Sequence, residues 1–252
     1  MAKKVLVTGM SGLIGGALRR QMEGRYELSA LNRSEVEGVV CHRGDIGDLD
    51  AIQPAFEGKD VVVHLAAKIA RSEGAWEELL APNIIGTYNV FEASRRAGVK
   101  RVVFASSGAV VGSYEKVEPY KALAEGRYGE LPNSWDKLDQ HSPVRPADLY
   151  GCSKVWGETL ARYFYEAFGM SMICLRIGAV RPNDRPETDR QFSIWSSQGD
   201  ITRLLEACVE APESVKYDVF YGVSNNKWSY RDMSHAKDVL GFTPQDVAED
   251  FR

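Results

Sequence analysis

Tyr150 and Lys154 stand four residues apart in the stretch LYGCSKVWGE, residues 149–158. On a helix, positions i and i+4 share one face. A phenol and an ammonium would meet there, a pairing suited to moving a proton, with the ammonium favouring the phenolate. The same spacing arises wherever an aromatic residue and a lysine fall on one helix face, so the rest of the chain must give the pair its meaning.

A second candidate is TGMSGLIGG at the end of the first strand-like run. Gly9, Gly12 and Gly15 are spaced G-x-x-G-x-x-G, with Ser11, Leu13 and Ile14 between them. The first glycine permits a tight turn, the second lets main-chain amides approach a pyrophosphate, and the third lets a helix pack on the strand. The anion then sits at the positive end of that helix. A strand before the glycines and an amphipathic segment after them is the context that points to a dinucleotide.

Further candidates fall at strand ends. The second strand closes on Asn32, Arg33 and Ser34, with no acid until Glu35. A cofactor with a free ribose 2'-hydroxyl usually meets a carboxylate here. An arginine and two short polar groups suit a 2'-phosphate instead, which favours NADP over NAD, although Arg33 also reads as an ordinary solvated loop residue. Asp45 and Ile46 follow the third strand and Leu65, Ala66 and Ala67 end the fourth, along the edge where adenine and ribose would lie. Ser106 and Ser107 end the fifth, where small hydroxyls often only cap turns.

The elements that must position these residues alternate regularly. KVLVTG, YELSALNR, VVCHRGD, DVVVHLAA and VKRVVFASS read as strands, and DVVVHLAA has the unbroken apolar character of a parallel strand buried on both faces. Between them lie the helical stretches GLIGGALRRQME and LDAIQPAFEG, and a long one, WEELLAPNIIGTYNVFEASRRAG, in which Pro82 predicts a kink. Strand and helix in alternation imply right-handed crossovers and a doubly wound sheet. Residues 113–147 break the rhythm: polar and rich in turn residues, they read as a long loop, and their aromatics favour one that is ordered over something. A helix then opens after Asp148, a candidate N-cap, followed by the strand MSMICLRIG, a helix at DITRLLEACVEA, the strand YDVFYGVS and a last helix at YRDMSHAKDVLG.

The chain has 252 residues and a formal net charge of -4, which argues against a dedicated nucleic-acid binder. No run is long and apolar enough to span a bilayer and the N-terminal residues hold no apolar signal core, so a cytoplasmic protein is the plain expectation. Cys41, Cys152, Cys174 and Cys208 form no CxxC pair, so neither a disulfide framework nor a metal site is expected.

Taken in order, TGMSGLIG, GDIGD, HLAA, NIIGTYNVFEA, FASS, YGCSK and LRIG resemble the extended short-chain dehydrogenase/reductase superfamily, in its nucleotide-sugar epimerase-like branch. The resemblance implies an α/β fold, a Rossmann-type doubly wound parallel sheet over residues 1–177, with a small C-terminal substrate lobe over residues 178–252. It also implies roles. Ser107 would polarise the substrate oxygen, Tyr150 would be the general base, its pKa lowered by the nearby ammonium and by the oxidised nicotinamide, and Lys154 would bind the nicotinamide ribose. Asn83 would support the active site, and Ile177 would join the cofactor-binding set. A homodimer through helices near 74–97 and 148–169 is likewise implied.

The second half, in LRIGAVRP, RQFSIW, DITRLLEACVEAP, FYGVSNNKWSY and LGFTPQD, is similar to uronate dehydrogenases and related sugar-phosphate dehydrogenases. That likeness places the binder of the substrate's anionic group at Arg190, five residues before Trp195. It also marks departures. An Asn-His pair expected after the catalytic serine is Gly108 and Ala109, and serines expected at two further positions are Ile69 and Ala179. The expected activity is oxidation of a hydroxyl, at C1, of a small anionic sugar by NADP or NAD. A nucleotide-sugar epimerase or reductase is the alternative, and an NADP-binding regulatory protein a lesser one.

Overall fold

β-Branched runs flanked by glycine and polar turns become strands here because each can be covered on both sides. The computed structural model describes residues 2–72 and 74–252. In chain order the elements are β1 (Lys4–Thr8), α1 (Leu13–Met22), β2 (Glu27–Asn32), β3 (Val40–Arg43), α2 (Leu49–Ile52), β4 (Val61–His64), α3 (Ala75–Leu79), α4 (Gly86–Arg96) and β5 (Arg101–Ser107). The second half adds α5 (Tyr120–Ala124), α6 (Leu149–Phe168), β6 (Ser171–Ile177), α7 (Gln191–Ile194), α8 (Gln198–Val209), β7 (Tyr217–Gly222) and α9 (Ser234–Leu240).

The strands form one parallel sheet in the order β3-β2-β1-β4-β5-β6-β7, the doubly wound Rossmann-type arrangement. Side chains alternate across it. Val5 and Val7 face a core shared with Leu18 and Met22 of α1, Leu204 and Leu205 of α8 and Ala236 of α9. Leu6 and Val62 face the other core, with Ile52 of α2, Val90 and Phe91 of α4 and Phe164 of α6. Residues 178–252 thus supply the edge strand β7 and, in α8 and α9, part of the cover of one sheet face.

Two stretches differ from the helix-and-loop pattern of the sequence. The long helix around Pro82 is not regular throughout. It widens into a π turn over Leu80–Ile85 between α3 and α4. A proline lacks the amide of the regular ladder and its ring crowds the preceding turn, and a wider turn absorbs both defects. The 113–147 stretch is ordered: short 3-10 segments at Gly108–Lys116 and Tyr128–Glu130 flank α5. Its main chain is tied down, Leu138 N–H donating to Tyr230 O at 2.7 Å and Asp232 N–H to Leu138 O at 2.9 Å. Leu123 and Leu138 join Val110, Val111, Ile194, Tyr221 and Tyr230 in a third apolar cluster. The aromatics of this stretch make it a roof.

One contact of the fold sets the height of α6 on the sheet. Gly157 lies against the ring of the buried Phe104, and a Cβ there would stand 2.3 Å from Phe104 Cζ. Phe104 is itself wedged by Phe91 and His64. Gly157→Ala is therefore expected to destabilise the protein by about 1–3 kcal/mol despite the better helix propensity of alanine. A shift of the denaturation midpoint to lower denaturant checks this, and an unchanged midpoint would refute it.

Candidate active site

At the carboxyl edge of the sheet, β1 turns into α1 through the glycine loop. Gly9 has φ +74, and a Cβ on it would stand 2.9 Å from the Ala66 main chain. A Cβ on Gly15 would lie 2.5 Å from Gly9 O and 2.6 Å from Met10 Cα. Only glycine fits at either point. Gly12 caps α1 without any side-chain hydrogen bond, so the amides of the first helical turn stay open to an anion. Asn32 ends β2 and donates from Nδ2 to Ser11 Oγ at 2.6 Å, fastening the glycine loop to the next strand. Its Oδ1 is buried without a partner among the described residues, an acceptor suited to a ribose hydroxyl.

Two continuous cavities run along this edge. One, of about 590 Å³, is bordered by Ser11, Asn32, Arg33, Ser34, Asp45, Ile46 and Ala66. The other, of about 450 Å³, is bordered by Leu13, Ile14 and Gly15, by Ile177 at the end of β6, by Ser107 and Gly108, and by Tyr150, Lys154 and Arg190. Gly9, Gly12, Leu65 and Ala67 belong to both. An extended dinucleotide fits the pair, with its pyrophosphate over the glycine turn.

Asn83 lies behind the wall and not in it. On the π turn its Oδ1 accepts from Lys68 N–H at 2.8 Å, and its Nδ2 donates to Lys68 O at 2.9 Å and to Ser153 Oγ at 3.0 Å. It clamps the segment after β4 to α6. Asp148 caps α6 by accepting from Gly151 N–H at 2.7 Å. Lys154 is buried, and its Nζ donates to Ala105 O at 2.9 Å. Burial holds its pKa down to about 8, against the opposing pull of Glu158.

The phenol of Tyr150 sits above the ordinary tyrosine value, not below it, because burial outweighs the Ser107 hydroxyl and the Arg71 guanidinium. Lys154 Nζ, 5.7 Å from the Tyr150 ring centroid, does not reverse this. The lowering expected there is left to a positive group arriving from outside the protein.

Several neighbours were not singled out from the sequence. Glu158 accepts from Arg176 at 2.9 and 2.8 Å and from Ser106 Oγ at 2.6 Å, one helical turn past Lys154. Arg190 donates from Nε and Nη2 to Glu115 at 2.6 and 2.9 Å, and Glu115 also accepts from the Tyr230 hydroxyl. Arg71, Arg181 and Arg231 enter the cavity wall. Most of them owe their place to contacts between distant segments, Arg181 pairing locally with Glu187, and the apolar setting of Arg176 in MICLRIG is a local signal.

A glycine-cornered strand-to-helix turn, open amides at a helix start, and a Ser-Tyr-Lys set on the same sheet edge define a nicotinamide-dependent oxidoreductase acting on CH–OH groups. The chain belongs to the NAD dependent epimerase/dehydratase family, whose model matches residues 5–239. It is 32% identical over 257 residues to a uronate dehydrogenase of Pseudomonas putida, covering 99% of this chain and 86% of that one. It is 33% identical to an NAD-dependent glucose-6-phosphate dehydrogenase of Haloferax volcanii, covering 100% and 96%. The crystal structure of uronate dehydrogenase from Agrobacterium tumefaciens superposes with a TM-score of 0.82 at 33% identity, covering 100% of this chain and 87% of that one.

The buried lysine carries a pH signature. Between about 8 and its unfolded value the unfolded chain binds a proton that the folded one does not, so this residue's contribution to stability is lost as pH falls through the folded pKa and recovered as pH rises. Wild type is expected to gain stability relative to Lys154→Met between pH 8 and 10. Parallel denaturation curves of the two proteins across that window would contradict it.

Proposed function

We propose that the protein oxidises the C1 hydroxyl of a small anionic sugar, a uronic acid or a sugar phosphate, to the lactone. The observation that carries the anionic class is the wall of the inner cavity: Arg71, Arg181, Arg190, Arg231 and Lys154 border it, and no carboxylate does among the described residues. The relatives named above, a uronate dehydrogenase and a glucose-6-phosphate dehydrogenase, support a substrate of this size and charge.

When bound, the oxidised nicotinamide supplies the hydride acceptor and a positive charge beside the reacting carbon. The protein does the rest. Ser107 holds the substrate oxygen, and Tyr150 takes the hydroxyl proton as the C–H hydrogen departs with its electron pair. Lys154, anchored on Ala105 O, holds the ribose hydroxyls. Leu65 and Ile177 keep the reacting face apolar. The glycine turn with Ser11, Leu13 and Ile14 holds the pyrophosphate, and Asn32, Asp45, Ile46, Ala66 and Ala67 hold the adenosine.

We read NADP as preferred over NAD. Arg33 and Ser34 are exposed at the mouth of the outer cavity, and the residue ending β2 is an amide in place of an acid. The exposed Ile85, Tyr88, Trp156, Tyr163 and Phe168 of the π turn, α4 and α6 are read as the face of a homodimer.

The experiment is reduced-nicotinamide absorbance with NADP or NAD against glucuronate, galacturonate, glucose 6-phosphate and glucose. At least one anionic sugar is expected to turn over, faster than glucose and with the higher kcat/KM on NADP. Silence on the whole panel with cofactor still bound would overturn the substrate class, and a higher kcat/KM on NAD would overturn the cofactor preference. Tyr150→Phe is expected to keep cofactor affinity while turnover drops by about 10²–10⁴-fold. Undiminished turnover in that variant would remove Tyr150 from the role of base.

A further inference from the structure

We propose that Arg231 receives the anionic group of the substrate, and that the absence of a side chain at Gly108 is what lets it do so. The inference rests on the sugar-oxidising reading above and names the residue that sets its specificity.

Arg231 is 2% exposed, and its Nε and Nη1 are buried without a hydrogen-bond partner among the described residues. A buried guanidinium with unanswered N–H groups is costly unless a ligand answers them. The other cations of the same wall are answered by the protein. Arg71 pairs with Asp148 at 3.0 Å, Arg181 with Glu187, and Arg190 closes on Glu115 through two N–H groups. Lys154 donates to Ala105 O. Among these cations, Arg231 is the one whose Nε and Nη1 are both buried with no hydrogen-bond partner among the described residues.

Gly108 shows that the placement is specific. A Cβ built on it would stand 2.1 Å from Arg231 Nη2, 2.2 Å from Cζ and 2.3 Å from Nη1. The guanidinium fills the space that any side chain at 108 would take, directly beside the catalytic Ser107. It is held in that pose. Cζ lies 5.7 Å from the Tyr230 ring centroid and 6.0 Å from that of Tyr221, and the Arg231 main chain bridges Leu138 of the roof. A planar fork fixed between rings matches the paired oxygens of a carboxylate or phosphate. Arg190 then serves the site from its pair with Glu115, whose other bond, from the Tyr230 hydroxyl, steadies one of the two rings that hold Arg231.

The test uses the protein saturated with cofactor, so that the glycine turn is filled. Calorimetric titration with inorganic phosphate and with glucuronate is run on wild type, Arg231→Gln, Arg231→Lys, Gly108→Ala and Arg190→Gln, beside KM and kcat for whichever anionic sugar turns over. Arg231→Gln is expected to weaken anion binding roughly 10- to 100-fold and to raise KM far more than it lowers kcat, with Arg231→Lys in between. Gly108→Ala, whose methyl displaces the guanidinium, is expected to show the same loss with cofactor affinity kept. If Arg231→Gln fails to fold, Gly108→Ala decides.

Wild-type anion affinity in Arg231→Gln or in Gly108→Ala, or a loss confined to Arg190→Gln, would overturn the proposal. If no sugar turns over, the proposed reaction fails, yet the phosphate titration still reads the Arg231 site. If an anionic sugar turns over with its KM unmoved by Arg231→Gln, the reaction stands and the assignment of Arg231 falls.

Discussion

Glu158 is a carboxylate closed off from water, and the alignment of the sheet's carboxyl edge depends on how it is answered. Arg176 of β6 meets it through two N–H groups, Ser106 of β5 donates to it, and Arg176 extends the chain by donating to the Tyr221 hydroxyl of β7 at 3.0 Å. Three strand ends are thereby fastened to α6 one turn past Lys154. Such a pair adds little net stability, but either partner left alone costs about 3–5 kcal/mol. A slip of α6 along the sheet would separate them. The pair therefore acts as a register pin, and the positions of Tyr150 and Lys154 follow from it.

Above this floor, charge is distributed by the same logic. Arg190 and Glu115 meet between the chain's C-terminal part and the roof segment, Tyr230 joins them, and the Tyr120 and Tyr230 rings pack edge to face at 5.6 Å. Residues 113–147 thus belong to the site's architecture. They neutralise one arginine, cover the strand ends with apolar side chains and steady the segment that holds Arg231.

What could be read from the sequence was local. The glycine turn, the alternation of strand and helix, the Asp148 cap and the Tyr150–Lys154 face each depend on residues close together in the chain, where backbone geometry and helical spacing leave few choices. What could not be read depended on distant segments. Glu158 has the look of a polar residue on a helix surface until β6 sets Arg176 against it. Gly108 and Ala109 read as lost contacts, and in the fold the first of them is room for a side chain from the far end of the chain. The setting of Tyr150 is of the same kind: the charge beside it is visible in the sequence, and the burial that holds its phenol up is not.

The π turn at Leu80–Ile85 has a consequence for what this chain can lose in length. A regular helix advances about 100° per residue, so one residue removed from that turn would tighten it towards α-helical winding, strip Pro82 of the wider turn that accommodates it, and swing α3 by roughly that angle about the axis of α4. Asn83 would lose Lys68 and Ser153 together, and the apolar faces on either side would part from their cores. The extra residue of this turn is thus tied to the placement of α3 and of the segment after β4 against α6.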